Sequence, residues 1–124
     1  MTKRDIKFRL WDGRKKKMLS WEEINFYHMS VLNKPTLDTD GDWEQYTGTD
    51  DKNGIGIYEN DILRQDILGR GYYYYVVEWY RGCFFLSRVD GSSRKAMFLE
   101  YEDDYKTEFE VIGNIHENPE LLEG

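Results

Sequence analysis

The chain has one cysteine and two prolines in 124 residues, and no apolar run near the roughly 20 residues that cross a bilayer as a helix. The single thiol, Cys83, forms neither an internal disulfide nor a cysteine-rich zinc site, which suits a reducing compartment. Met1-Thr2-Lys3-Arg4-Asp5 lacks the apolar core of a secretory signal, so the expected location is the cytoplasm, with no membrane association. Positive charge is in deficit: 17 basic against 24 acidic residues give a net charge of −7. That balance disfavours a general nucleic-acid binder, which relies on Lys and Arg to neutralise phosphates. Arg14-Lys15-Lys16-Lys17 is a local exception. It and the acidic stretches (Glu100 to Asp104, and the tail from Glu117) read first as solvated surface, then as a phosphate-contacting patch or an acidic partner site. Low-complexity tracts are absent too. Aromatics instead make up 16% of the chain, which excludes a disordered polymer and predicts an aromatic and β-branched core.

Ile6, Phe8 and Leu10 alternate with Lys7, Arg9 and Trp11, the period of a half-buried strand. Asp12-Gly13 with the basic cluster then makes a turn, and Met18-Leu19 begins a return strand. Residues 20–32 carry conflicting signals. Ser20-x-x-Glu23 is a capping box, whereas Ile24 to His28 is rich in strand formers, so the segment reads as one helical turn or loop followed by a strand. Pro35 and Asp38-Thr39-Asp40-Gly41-Asp42 predict a polar loop. The loop divides an N-terminal hairpin unit, about 1–32, from a main β unit, about 43–116, with a short tail, all in one domain spanning 1–124. Strands are expected near 43–47, 55–58, 61–67, 72–80, 83–88, 95–100 and 108–115. Such spacing predicts a mostly β fold with little helix, an antiparallel sheet of barrel-like or sandwich form. Pro119 suits the first position of one closing helical turn.

Tyr72 to Arg88 is the densest packing element. With a turn at Arg81-Gly82, Tyr73, Tyr75, Val77 and Trp79 share a face with Phe84 and Leu86. The predicted core is Ile6, Phe8, Leu10, Val77, Trp79, Phe84, Leu86 and Ile112. The opposite face carries Tyr72, Tyr74, Val76, Tyr80 and Phe85, a row too apolar for open solvent. It is the candidate interaction face. Either the N-terminal hairpin or another copy of the chain should cover it.

No constellation of catalytic residues emerges. An EF-hand register starting at Asp38 puts Trp43 where a glycine is needed and Thr49 where a bidentate glutamate belongs; one starting at Thr49 lacks an acidic first ligand. Gly54-x-Gly56 lacks the third glycine and the following helix of a dinucleotide loop. Ser92-Ser93 has no nucleophile elbow, Cys83 has no local base, and two histidines, His28 and His116, are too few for most histidine-based metal sites. Glu59 and Asp61 share a strand face, but capping of the corner's N–H groups is the simpler role for them. Tyr72-Tyr73-Tyr74-Tyr75, with Arg64 and Arg70 nearby, could stack nucleobases, though alternation gives each face only two of the four rings. Catalytic, metal and cofactor residues are therefore all expected to be absent.

The most specific wording is Gln45-Tyr46-Thr47-Gly48, Asp51-Lys52-Asn53-Gly54, Ile57-Tyr58-Glu59 and Asp61-Ile62, with Asn53-Gly54 a turn and Asn60-Asp61 a corner. It resembles the YopX-like family of small bacteriophage and prophage proteins, whose signature is similar to QYTG–x–x–DKNG–x–x–IYEGDI. Asp5-Ile6-Lys7-Phe8-Arg9-Leu10-Trp11-Asp12, Val76-Val77-Glu78-Trp79 and Glu110-Val111-Ile112-Gly113-Asn114-Ile115-His116-Glu117-Asn118-Pro119-Glu120-Leu121-Leu122 are similar to the family's opening, middle and closing motifs. The resemblance covers almost the whole chain. Two positions depart from it: Asn60 replaces a usual Gly and His116 a usual Tyr. Asn tolerates a left-handed backbone, so the first exchange is conservative.

The resemblance implies phage or prophage origin and carries no established activity. The motif residues Tyr46, Gly48, Asp51, Asn53, Gly54, Tyr58, Glu59, Asn60 and Asp61 are read as structural, with Gly48, Gly54 and Asn60 at positive φ and Asp61 as a cap. The functional expectation is a non-enzymatic interaction module that self-associates or engages a host or phage protein. The alternative is a nucleic-acid-binding small barrel.

Overall fold

The computed structural model describes residues 6–30, 41–67, 69–96 and 109–123. They divide into two compact units, residues 1–46 and 47–124.

In the first unit, β1 (Phe8–Asp12) pairs antiparallel with β2 (Lys17–Leu19), Leu10 opposite Leu19. Between them, Asp12 Oδ1 accepts the backbone N–H groups of Arg14 and Lys15 at 3.0 and 3.2 Å, and the turn closes with Lys16 at φ 52°. The other edge of β1 pairs with the first half of β3 (Asp42–Asp50), Phe8 opposite Gln45. Arg9 Nε donates to Oε1 of the fully buried Glu44 at 2.8 Å.

Residues 21–30 form a helix, α1 (Trp21–Ser30), rather than one turn followed by a strand. The capping box decides the outcome. The Glu23 N–H donates to Ser20 Oγ at 3.1 Å and the Ser20 N–H to Glu23 Oε1 at 3.3 Å, so two otherwise orphaned donors are satisfied reciprocally. Trp21 then tilts against Phe8 (ring centroids 6.1 Å apart) and Ile24 is buried, so packing on β1 outweighs the strand propensity of the segment.

In the second unit, the latter half of β3 leads through the Asn53-Gly54 turn to β4 (Gly56–Tyr58). A five-stranded antiparallel sheet follows. It contains β5 (Asp61–Asp66), β6 (Tyr72–Tyr80), β7 (Cys83–Arg88), β8 (Arg94–Ala96) and β9 (Phe109–Asn114), in the order β8-β7-β6-β5-β9. A 3₁₀ helix, Pro119–Glu123, closes the chain where one helical turn was expected. The fold is mostly β, antiparallel and poor in helix, as expected. The polar loop before Gly41 and the part of the 95–100 strand beyond Ala96 lie outside the described residues.

The β6–β7 hairpin has the predicted register, Val77 opposite Leu86 and Trp79 opposite Phe84, around Arg81 (φ 49°) and Gly82 (φ 82°). Val77, Leu86 and Phe84 are buried together with Ile57, Leu63, Tyr75 and Phe109. Leu10 is buried in the first unit, and Phe8 and Ile112 are half-buried.

Two predicted core residues are corrected. Ile6 is 62% exposed because it precedes β1 and has no strand partner. Trp79 is 45% exposed because β5 pairs with β6 only as far as Val76, so its end of the hairpin lacks that neighbour; its ring rests edge-on against Phe84 at 4.7 Å. Tyr73, 38% exposed, likewise lies at the margin of its face.

Candidate interaction surface

Several residues of the signature motif bond the backbone of its own turns. Asp51 is 2% exposed, and its Oδ1 accepts the N–H groups of Asn53 and Ile55 at 2.8 and 2.9 Å, fixing the turn in which Gly54 sits at φ 78°. Its Oδ2 accepts the Val111 N–H at 2.8 Å. Asp61, 1% exposed, accepts the Tyr58 N–H through Oδ2 at 2.8 Å. Asn60 takes φ 69°, donates its N–H to the Val77 carbonyl at 2.6 Å and accepts the Ile115 N–H at 3.1 Å. Gly48 lies at φ 92° within β3, bridged by the Thr49 N–H, which donates to Thr47 Oγ1. Tyr46 is buried and its N–H donates to the Lys7 carbonyl. Glu59 and Tyr58 are half-buried beside the corner. The expected positive φ values and the Asp61 cap are all present.

His116 follows the same logic. Its N–H donates to Asn114 Oδ1, which also accepts from the Glu117 N–H, so this stretch is a side-chain-capped turn. No cluster of three or more His, Cys, Asp or Glu able to hold a metal occurs among the described residues.

The opposite face of the β6–β7 hairpin has a different character. Tyr72, Tyr74 and Tyr80 are 50%, 38% and 45% exposed, while Val76 and Phe85 are half-buried between them. The row is not bare hydrocarbon. The Arg64 guanidinium lies 4.4 Å from the Tyr72 ring centroid, and that of Arg94 lies 4.5 Å from both Tyr80 and Phe85. Each of these cations is also paired. Arg64 donates to Glu110 Oε2 at 2.8 Å, and Arg94 lies 4.0 Å from Glu78 Oε2. The hydrogen bond from Arg64, followed by its charge, holds the Glu110 carboxyl below the usual glutamate range, while Glu110 raises Arg64 in return. Sequence reading found the tyrosines and Arg64; it missed Arg94, which cross-strand register places opposite Ser87. Arg70 has no stacking contact of this kind among those described.

At one end of the hairpin, β6 outruns β7. Arg88 pairs with Tyr75, and beyond it the Val89 N–H reaches the Tyr74 carbonyl at 3.0 Å before the chain turns away. The resulting notch is a cleft of about 400 Å³, walled by Tyr72, Tyr73 and Tyr74 on one side and by Glu120 and Leu121 of the 3₁₀ helix on another. Arg88 stacks on Tyr73 at 3.8 Å and pairs with Asp90 at 3.1 Å. Hydrogen bonds from Ser92 hold the Asp90 carboxyl below its ordinary range.

These features define a small antiparallel β protein in which Asp51 and Asp61 of the signature accept backbone hydrogen bonds, and tyrosines and arginines share the exposed face of a hairpin. The family model described as YopX protein matches residues 7–123, and the chain belongs to that family. The crystal structure of protein EF1440 from Enterococcus faecalis is similar, with a TM-score of 0.66 and 26% sequence identity over 97% of this chain and 99% of that one. No protein of curated function matches the chain. Among the described residues, no helix is long and apolar enough to cross a membrane.

Proposed function

We propose that this YopX-family chain is a non-enzymatic interaction module of phage or prophage origin, acting in the bacterial cytoplasm and self-associating through the aromatic face of its β6–β7 hairpin. The observation that carries the reading is the row Tyr72, Tyr74, Val76, Tyr80 and Phe85, three of whose rings are more than a third exposed. Contiguous aromatic surface of this kind marks interaction sites on stable proteins. Arginines lie over Tyr72, Tyr80 and Phe85, and tyrosine with arginine is the composition of energetic centres in protein interfaces. The polar residues that an enzyme would use are bound up in turns and caps, which supports binding over catalysis.

Arginines lying on tyrosines would also suit a nucleobase platform. Pairing of Arg64 with Glu110 and of Arg94 with Glu78, on a chain of net charge −7, weighs against that second reading.

Light scattering behind a sizing column tests the proposal. A dimer that Tyr80→Glu dissociates, with an unchanged melting temperature, is the expected result. A monomer at high micromolar concentration overturns it.

A further inference from the structure

We propose that the cleft between Tyr72–Tyr74 and the closing 3₁₀ helix receives an arginine or lysine side chain from a basic segment of a second protein. The site shares Tyr72 and Tyr74 with the aromatic row, but Tyr80, the residue that tests self-association, does not line it.

Three properties converge on a cation. First, the wall is aromatic. Tyr72 and Tyr74 stand on one face of β6 and Tyr73 on the other, so rings flank the free end of the strand on both sides, and Arg88 already lies 3.8 Å from the Tyr73 ring as an internal example of the pairing. Second, the balance of charge lining the cleft is negative. Arg88 is matched by Asp90 at 3.1 Å, which leaves the exposed Glu120 as the surplus charge. The segment carrying that wall adds Glu117 and Glu123, on a chain whose net charge is already −7. An anionic or phosphorylated ligand would meet this field as repulsion; a guanidinium or ammonium group meets it as attraction. Third, the cleft is open to an extended chain. β6 continues past the end of β7, and in the alternation of an antiparallel ladder the main-chain groups of Tyr72 point toward the side that β7 has vacated. An extended segment entering there can lie along β6 while its basic side chain sits against the tyrosines, with Glu120 closing the ion pair. Backbone contacts would supply affinity and the pocket specificity, as in strand addition.

The experiment is a titration of the isotope-labelled full chain, followed by backbone amide shifts. The probe is an acetylated, amidated Gly-Arg-Gly tripeptide, compared with the counterpart holding citrulline, which keeps the shape of arginine without its charge. The arginine peptide should shift the amides of Tyr72, Tyr73 and Leu121, and the citrulline peptide should bind at least about fivefold more weakly. Glu120→Gln, an exposed substitution that leaves folding intact, should weaken the arginine peptide about threefold or more. Arg88→Gln should tighten it, because the Tyr73 ring and Asp90 are released to the incoming cation; a merely structural role for Arg88 predicts the reverse. Equal binding of the two peptides, or shifts outside the cleft, would overturn the proposal. So would cleft shifts that appear on concentrating the protein alone and vanish with Lys15→Glu, since these would give the site to a second copy of the chain. Running the series on Tyr80→Glu as well separates the result from self-association: a monomeric variant that still binds arginine upholds the cleft whatever becomes of the dimer.

Discussion

Asp51 and Val111 stand 60 positions apart, and the carboxylate of the first accepts the backbone N–H of the second at 2.8 Å. The same carboxylate holds the Asn53 and Ile55 N–H groups, so one buried side chain ties the turn after β3 to β9. Removing it takes the acceptor from three main-chain donors at once, those of Asn53 and Ile55 in an exposed turn and that of Val111 in β9. Hydrogen bonds to charged groups contribute about 1.5–3 kcal/mol each, with strong non-additivity, so Asp51→Ala is expected to lower unfolding free energy by about 3 kcal/mol or more in urea titrations. A loss under about 1 kcal/mol would mean that water replaces the carboxylate without penalty.

Phe84 and Trp79 face each other across the hairpin, yet only Phe84 is buried, at 7% against 45% exposure. Phe84→Ala should therefore cost about 3–5 kcal/mol, and Trp79→Ala only about 1 kcal/mol. Denaturant melts of the two variants give the comparison directly. Equal losses would mean that burial does not set the difference between these two rings.

Gly54 sits at φ 78° with open space where a Cβ would project, so substitution there strains the backbone and clashes with nothing. Gly54→Val is expected to lose about 2 kcal/mol, since β-branched residues tolerate left-handed backbone poorly. Gly54→Asn should lose less than half of that, because Asn60 already adopts φ 69° in the same protein. Thermal melts that rank Asn below Val would contradict this account.

Glu110 titrates below the ordinary glutamate value of 4.5 because Arg64 donates a hydrogen bond to it, with the charges of Arg64 and Lys52 adding to the effect. A depressed folded value contributes stability that is complete above the unfolded value and fades as pH drops through the folded one. The melting-temperature gap between wild type and Glu110→Gln should thus hold from about pH 7 to about pH 5 and close toward about pH 3. The gap will be small, since both side chains are a quarter to a third exposed. A gap that widens in acid would reverse the assigned sign.

The elements legible in the sequence were those in which local chemistry and long-range pairing agree. Arg81-Gly82 could only be a tight turn, and once it is placed, alternation fixes Val77 against Leu86 and puts Tyr72, Tyr74 and Tyr80 on the outer face. The capping box at Ser20 and Glu23 was equally visible, but the length of α1 was not. Residues 24–28 carry strand-forming side chains, and helix continues through them because Trp21 and Ile24 find partners outside the segment. Burial of Ile62, Leu63 and Phe109 likewise depends on β5 lying between β6 and β9, an order that no local pattern states. The cleft was illegible for a related reason. Its tyrosines stood out, but Asp90, Glu120 and Leu121 join them only through the turn after β7 and the closing helix.

At the end of the sheet, the outward main-chain groups of β9 are already engaged. The Phe109 carbonyl accepts from the Lys52 N–H, the Val111 N–H donates to Asp51, and the Asn114 N–H donates to Asn118 Oδ1. Gly113 leaves the space Asn118 needs, since a Cβ there would fall on its amide. A strand so occupied offers little to a neighbour seeking to extend the ladder, which is how natural sheets avoid templating aggregates at their margins. Edge-on growth through β9 into fibres is thereby disfavoured.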